Sequence, residues 1–271
     1  MMNASSNPKS PITRSLSVEY TLSLITALLM AAMSVIGLFV PDALYQTEEL
    51  RRSFLSNDIV NLFIGLPILL GSMAWARRGQ LIGLLFLPGA LLYVTYNYIA
   101  YAVAMPLTWQ FIPYVLLVVL SGFIIYRLMT SLDGRSIQQR LNGKIPERFA
   151  GGVLAGLGAL FFLRGIGQLV QASITGPELA VIIADLLITP LWVIGGILLW
   201  RKKPLGYISG AGLLFQASML FVALLVFFIL QPVVAGVPFP TTDFIVVFVM
   251  GLVCFVPFGL FVRGMLRNPV G

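Results

Sequence analysis

The sequence predicts an all-α integral membrane protein with eight transmembrane helices. Hydrophobic residues make up 59% of the 271 residues and charged residues only 10%, whereas soluble domains are about 45–50% apolar and about 25% charged. The mean hydropathy of +0.97 agrees with this composition. Eight apolar runs also reach the length of roughly 20 residues that a membrane-spanning helix needs. These observations exclude a soluble enzyme, a disordered chain and a nucleic-acid-binding domain.

The eight predicted helices follow one another closely. The first apolar run is longer than the hydrophobic region of a cleaved signal peptide, so we expect it to stay as an anchor. Most of the connectors are only a few residues long, such as 77–79 and 201–204, and therefore predict antiparallel helix hairpins. The runs lie at 18–40, 57–76, 81–103, 109–130, 149–172, 177–200, 205–230 and 242–263.

The basic residues predict the orientation of the chain. Placing the N-terminus in the cytosol puts 14 of the 17 Lys and Arg residues on the inner side, as the positive-inside rule requires. Only Arg51 and Arg52 then lie outside, and Arg164 lies within a helix. We therefore expect a multi-pass protein of the cell membrane with both termini inside, whose basic residues anchor the topology and can contact anionic headgroups.

Composition also divides the chain into segments. Residues 1–16 are polar and are expected to be a disordered cytosolic tail. Residues 131–148 form the one sizeable polar connection and are expected to be a cytosolic linker between two four-helix halves, 17–130 and 149–265. Residues 266–271 form a short cytosolic C-terminal tail.

The two halves share an ordered set of residues that suggests an internal repeat. Shared membrane composition is the alternative explanation. Because each half has an even number of helices, the repeats would be parallel, with a pseudo-twofold axis along the membrane normal and a ligand site between them. The matching positions are Asp58, Pro67, Trp75, Gly83 and Gly89 in the first half and Asp185, Pro190, Trp200, Gly206 and Gly212 in the second.

Two ionisable residues in the second half are predicted to form an ion pair. The turn between the fifth and sixth helices is centred between Ile174 and Thr175, and Arg164 lies as far before that centre as Asp185 lies after it. Antiparallel helices would hold the two side chains at one depth, where an unpaired charge is costly. A static pair that only fixes the hairpin register is the alternative to a functional one.

Other polar residues gather in the predicted outer half of the membrane. Helical spacing places them on common helix faces, and most of the acids lie on the same side. We therefore expect a polar and aromatic cavity that opens outward and binds a solute. The alternative for the tyrosines is an interfacial aromatic belt, which suits Tyr98 and Tyr101 better than the deeper Tyr93 and Asn97. All but the last of the predicted binding residues belong to this outer half: Asp58, Asn61, Tyr93, Tyr96, Asn97, Arg164, Gln168, Asp185 and Gln216.

The residue types exclude most familiar chemistry. The chain has no His and a single cysteine, Cys254, which excludes histidine-held zinc or haem and Ser-His-Asp or Cys-His catalysis. No nucleotide-binding motif is present. We therefore expect no metal, no cofactor and no catalytic residue, and enzymatic activity is not favoured.

Three functions stay open at this stage. The first, which the parallel repeat and the outward acids favour, is a transporter or binding protein for a small polar or cationic solute. The second is an intramembrane enzyme acting on a lipid, with Asp58 or Asp185 as general acid–base. The third is a non-catalytic membrane subunit or scaffold. The bilayer is the expected partner in each case, nucleic acid is not, and the oligomeric state stays open.

Overall fold

The protein is a bundle of eight long apolar helices. The structure, a computed structural model, describes residues 11–170, 174 and 176–267, and within them it contains helices and no strand. Each of the eight long helices is long and apolar enough to cross a membrane. The predicted class, an all-α membrane protein with eight candidate spans, is therefore confirmed. The helices are α1 (Ser17–Phe39), α2 (Pro41–Leu44), α3 (Glu48–Val60), α4 (Leu66–Arg77), α5 (Leu81–Ala104), α6 (Phe111–Ser131), α7 (Gly134–Leu141), α8 (Glu147–Leu169), α9 (Gly176–Trp200), α10 (Pro204–Val234) and α11 (Thr241–Leu266).

The second span differs most from its prediction, since it begins at Glu48 rather than at residue 57. Thr47 caps it by accepting a 3.2 Å hydrogen bond from the backbone N–H of Leu50. Two acidic residues follow in the first turn, where they favour the positive end of the helix dipole. These charged residues lower the local hydropathy, so the apolar run alone underestimates the length of the helix.

A π-helical segment joins α3 to α4 within this span. It covers Asn61–Gly65, and the backbone N–H of Leu66 donates to the Asn61 carbonyl five residues earlier. Pro67 follows directly and has no N–H to donate to the preceding turn. A wider turn before the proline accommodates this loss, and such π segments are frequent at functional sites.

Helix α5 forms the centre of the bundle. In its most apolar 18-residue stretch 83% of the residues are buried, compared with at most 44% in any other span. It packs against α4, α6, α9 and α10. It crosses α10 where Gly89 meets Gly212. A Cβ added at Gly89 would lie 2.9 Å from the Gly212 Cα, so only glycine allows the two backbones to approach this closely.

Residues 11–16, which the sequence assigns to a disordered tail, pack against the end of α6. The backbone N–H of Thr13 donates to the Ser131 carbonyl at 2.9 Å. Glu19, which is fully buried, pairs with Arg127 at 2.8 Å and with Arg14 at 3.3 Å. A buried carboxylate with two arginines therefore fixes this segment, while residues 1–10 lie outside the described part of the chain.

The polar connection between the two halves contains the surface helix α7. Asp133 caps it by accepting a 3.0 Å hydrogen bond from the backbone N–H of Arg135. Ile137 and Leu141, one turn apart, are buried, and the helix packs on α10. The expected linker is therefore partly an amphipathic helix, which the spacing of its two apolar residues indicates.

Candidate functional site

The carboxylate of Asp58 lies at the centre of a buried polar cluster. Asp58 is 1% exposed and comes from α3, shortly before the π segment. Its Oδ1 accepts a 2.8 Å hydrogen bond from the Tyr101 hydroxyl, and its Oδ2 accepts one from the Tyr45 hydroxyl. Gly37 of α1 makes room for this arrangement, because an added Cβ would collide with the carboxylate and with the Tyr45 hydroxyl.

Four tyrosines, which we call the tyrosine cage, surround this carboxylate: Tyr45, Tyr98, Tyr101 and Tyr114. The ring centroids of Tyr98, Tyr101 and Tyr114 lie 5.1–5.7 Å apart, and these three residues are at most 1% exposed. The belt interpretation of Tyr98 and Tyr101 is therefore wrong. Both belong to the central helix α5, so their rings face protein rather than the membrane interface.

Tyr45 lies between α2 and α3, outside the candidate spans. Burial, with a smaller contribution from the negative charge of Asp58, raises the pKa of Tyr45 far above its ordinary value. The phenol therefore keeps its proton and serves as a hydrogen-bond donor to the carboxylate.

Several buried polar atoms beside the cage have no hydrogen-bond partner among the described residues. They are the Tyr114 hydroxyl and both side-chain amide atoms of Gln110. Gln110 precedes Tyr114 by one helical turn, and its carbonyl accepts the Tyr114 backbone N–H. Because buried polar atoms are nearly always bonded, these atoms point to a ligand or water that completes the cage.

A chain of amide side chains lies next to the cage. Asn57 donates to the Asn97 Oδ1 at 3.2 Å, and the Asn97 Nδ2 donates to the Tyr93 carbonyl at 2.9 Å. The Tyr93 hydroxyl donates to the Asn61 Oδ1 at 3.2 Å, and the Asn61 Nδ2 has no partner among the described residues. Three of the predicted binding residues thus meet here. Asn57, which was not among the predicted binding residues, extends this chain through its bond to Asn97, and Tyr93 links Asn97 to Asn61.

Asp185 meets α5 rather than Arg164. Its Oδ1 accepts a 2.9 Å hydrogen bond from the Tyr96 hydroxyl. The ion pairs among the described residues do not include Arg164 with Asp185, so the predicted pair is wrong. Arg164 is exposed and acts on Asp185 only through longer-range electrostatics.

The expected depth of these two residues nevertheless agrees with the packing of α8 on α9. Gly165 lies against Ile182 and Leu186, which brackets the level of Asp185. Rotation about the helix axes explains the missing pair, because Asp185 faces α5 while Arg164 faces away from the bundle. Sequence spacing gives depth along antiparallel helices but does not give this rotation.

Two further predicted residues lie apart from the cage. Gln168 of α8 makes no side-chain hydrogen bond within the described part of the chain. Gln216 is fully buried in α10, and its Oε1 accepts a 2.6 Å hydrogen bond from the indole N–H of Trp192. Gln216 therefore belongs to the contact between α9 and α10.

The polar clusters share one helix as their scaffold. Tyr93 and Asn97 contribute to the amide chain, Tyr96 to the Asp185 contact, and Tyr98 and Tyr101 to the cage. The tyrosine cage is closed in this structure because its side chains are buried, whereas Tyr96 and Asp185 are half-buried. The outward opening stays a prediction. A carboxylate amid aromatic rings can pair with a cation or exchange a proton.

Comparison of the chain with protein-family models, with curated proteins and with solved structures found no match.

Proposed function

We propose that the protein is a transporter that binds a small organic cation in the tyrosine cage, with Asp58 as the counter-charge. The observation that carries this proposal is the buried Asp58 carboxylate among four tyrosine rings. The negative faces of aromatic rings attract ammonium groups, and a carboxylate supplies the opposite charge. An ionisable residue within a membrane helix is also a functional hypothesis by default, because burying its charge there is costly.

The surroundings of Asp58 support a site that changes state. The Tyr114 hydroxyl and the Gln110 amide, which have no hydrogen-bond partner among the residues that the structure describes, offer hydrogen bonds to an incoming solute. The π segment Asn61–Gly65 lies one turn from Asp58 in the same span. Relaxation of this segment to regular α-helix would rotate Asp58 relative to α4 and provide a local route to opening.

An internal duplication fits this function, because repeats in transporters commonly enclose the substrate site. The turns between α4 and α5 and between α9 and α10 support this duplication. Gly79 and Lys202, which are 123 residues apart, both have positive φ values, 72° and 54°. Gly83 meets the backbone of Trp75, as Gly206 meets the backbone of Leu198. In this alignment Leu198, rather than the expected Trp200, corresponds to Trp75.

The contact between Gly89 and Gly212 supports the same duplication, since these residues are also 123 positions apart. Equivalent residues that meet each other are expected on a pseudo-twofold axis. The orientation with both termini in the cytosol rests on the basic residues, and it puts the tyrosine cage in the outer half of the membrane. Alkaline phosphatase fused to the C-terminus should be inactive, and an active fusion would contradict this orientation.

Electrical measurement on reconstituted vesicles tests the transport proposal. The purified protein is incorporated into liposomes on a solid-supported membrane and exposed to pulses of tetramethylammonium, choline or methylammonium. We expect a saturable current from the full-length protein that Asp58→Asn abolishes. Asp243→Asn is the matched control, because Asp243 is an exposed carboxylate at the start of α11, and this variant should keep the current.

The outcomes separate the three functions that the sequence leaves open. A current that persists in Asp58→Asn, or no current with any of the three cations, would overturn the proposal. An altered membrane lipid composition on deletion of the gene, without current, would favour the lipid enzyme instead. Intact folding of Asp58→Asn is checked by its elution from size-exclusion chromatography beside the Asp243→Asn control.

A further inference from the structure

A second feature of the bundle, on the side of α5 away from the tyrosine cage, is an apolar groove. It has a volume of about 200 Å³ and lies between α5, α6, α9 and α10. It opens on the outer surface of the bundle, since Leu191, Ile194 and Leu205 on its rim are 43–56% exposed. Ser209 is a polar lining residue, and its hydroxyl donates to the Leu205 carbonyl of its own helix. The groove therefore offers surface for an apolar ligand.

Phenylalanines pack on the opposite side of the same helix crossing. Phe86 lies three residues before Gly89, and Phe215 lies three residues after Gly212. Their rings are stacked, with the ring centroids 4.5 Å apart. Phe258 of α11 packs against both, at 5.6 and 5.9 Å.

The corresponding positions on the groove side carry smaller residues. Leu92 lies three residues after Gly89, Ser209 lies three residues before Gly212, and both residues line the groove. The groove therefore exists because Leu92 and Ser209 are smaller than the phenylalanines at the corresponding positions on the opposite side.

We propose that this groove binds an acyl chain of an anionic phospholipid. Protein interiors tolerate few voids of this size, and a groove that opens sideways in the spanning region faces lipid. Contact between a lipid tail and the groove walls replaces the dispersion contacts that an empty groove would lack. The narrow apolar shape of the groove favours an acyl chain, and the basic residues at its end favour an anionic headgroup.

Basic residues lie at the end of the groove where α9 turns into α10. Leu198 and Leu205 line this end, and Arg201 and Lys203 lie in the turn between them, exposed and without an ion pair among the described residues. Lys202 differs, since it lies 3.9 Å from the Glu147 carboxylate. These two basic side chains can bind the phosphate of a lipid whose acyl chain lies in the groove. The proposed orientation places this lipid in the inner leaflet.

Photolabelling tests the lipid site. The full-length protein is placed in nanodiscs with phosphatidylglycerol that carries a diazirine on its acyl chain, and labelled peptides are mapped by mass spectrometry. We expect label on the lining residues of α9 and α10. The double variant L92F/S209F, which copies the phenylalanines of the opposite side, should reduce that label to the level found on the exposed face of α1.

A matched control and a headgroup test complete the experiment. V119F adds a phenylalanine at an exposed position of α6 outside the groove and should leave the label unchanged. Each of R201Q and K203Q should reduce the preference for phosphatidylglycerol over phosphatidylcholine about fivefold, because a basic residue near an anionic lipid contributes about 1 kcal/mol. These two exposed substitutions do not disturb packing, so they keep the test decisive even where L92F/S209F folds poorly.

Any of four results would overturn the proposal. The first is groove labelling no stronger than that of the exposed α1 face. The second is labelling that L92F/S209F leaves intact in a folded protein. The third is crosslinking of the groove residues to a second copy of the chain in place of the lipid, which would identify a protein partner in the groove. An unchanged headgroup preference in R201Q and K203Q would contradict the assignment to an anionic lipid.

Discussion

Replacing Tyr101 by phenylalanine should destabilise the protein markedly more than the same change at Tyr98. The two tyrosines lie three residues apart in α5 and are at most 1% exposed. The Tyr101 hydroxyl donates to the Asp58 carboxylate at 2.8 Å, whereas the Tyr98 hydroxyl only reaches the Met30 carbonyl at 3.4 Å. The two substitutions remove the same atom from similar surroundings and differ in the partner that they leave behind.

The structure sets the expected magnitudes. A hydrogen bond to a charged group contributes about 1.5–3 kcal/mol, whereas a long bond to a neutral carbonyl is near the lower end of about 0.5–1.5 kcal/mol. Tyr101→Phe should therefore lower the free energy of unfolding by at least ~1 kcal/mol more than Tyr98→Phe does. Combining each variant with Asp58→Asn should give a coupling of about 0.5–3 kcal/mol for Tyr101 and none for Tyr98.

The free energy of unfolding can be measured by titrating SDS into mixed micelles and following tryptophan fluorescence, since the chain has four tryptophans. Equal losses for Tyr101→Phe and Tyr98→Phe would refute the assignment of Tyr101 as a donor to a charged Asp58. An additive double variant with Asp58→Asn would refute it as well, because removing the charge should also remove the penalty.

Three further predictions concern the rest of the bundle. Gly89→Leu should cost at least about 1–3 kcal/mol of stability, because its side chain would meet the backbone of α10; a melting temperature equal to wild type would contradict the close crossing. Glu19→Gln should lower the free energy of unfolding by about 1.5–3 kcal/mol, because it weakens the charged hydrogen bond from Arg127. It should also speed trypsin cleavage near the N-terminus, and an unchanged cleavage rate would contradict the role of Glu19 in holding that segment. Tyr96→Phe removes the phenol that donates to Asp185 and should destabilise the protein by about 1–3 kcal/mol, unless Asp185→Asn is also present; equal losses in the two backgrounds would exclude this contact.

The residue pattern alone was sufficient to predict eight candidate spans and to predict which polar residues lie at similar levels along neighbouring helices. Apolar length identifies a spanning helix because the membrane has a fixed thickness. Counting from a short turn gives depth because antiparallel helices rise at the same rate per residue. This is why Gly165 of α8 packs at the level of Asp185, as expected. It is also why Asn61, Tyr93 and Asn97, which were expected at similar levels, are linked by hydrogen bonds.

The rotation of each helix about its own axis, and the central position of α5, could be seen only once the helices were packed together. In a membrane protein both lipid-facing and core-facing residues are apolar, so the sequence lacks the polar face that reveals rotation in a soluble helix. The burial of Tyr98 and Tyr101, the contact of Asp185 with Tyr96 and the exposure of Arg164 all follow from that rotation. Apolar patterning therefore predicts the level of each candidate residue along its helix, whereas the packing of the helices around α5 determines which residues it contacts.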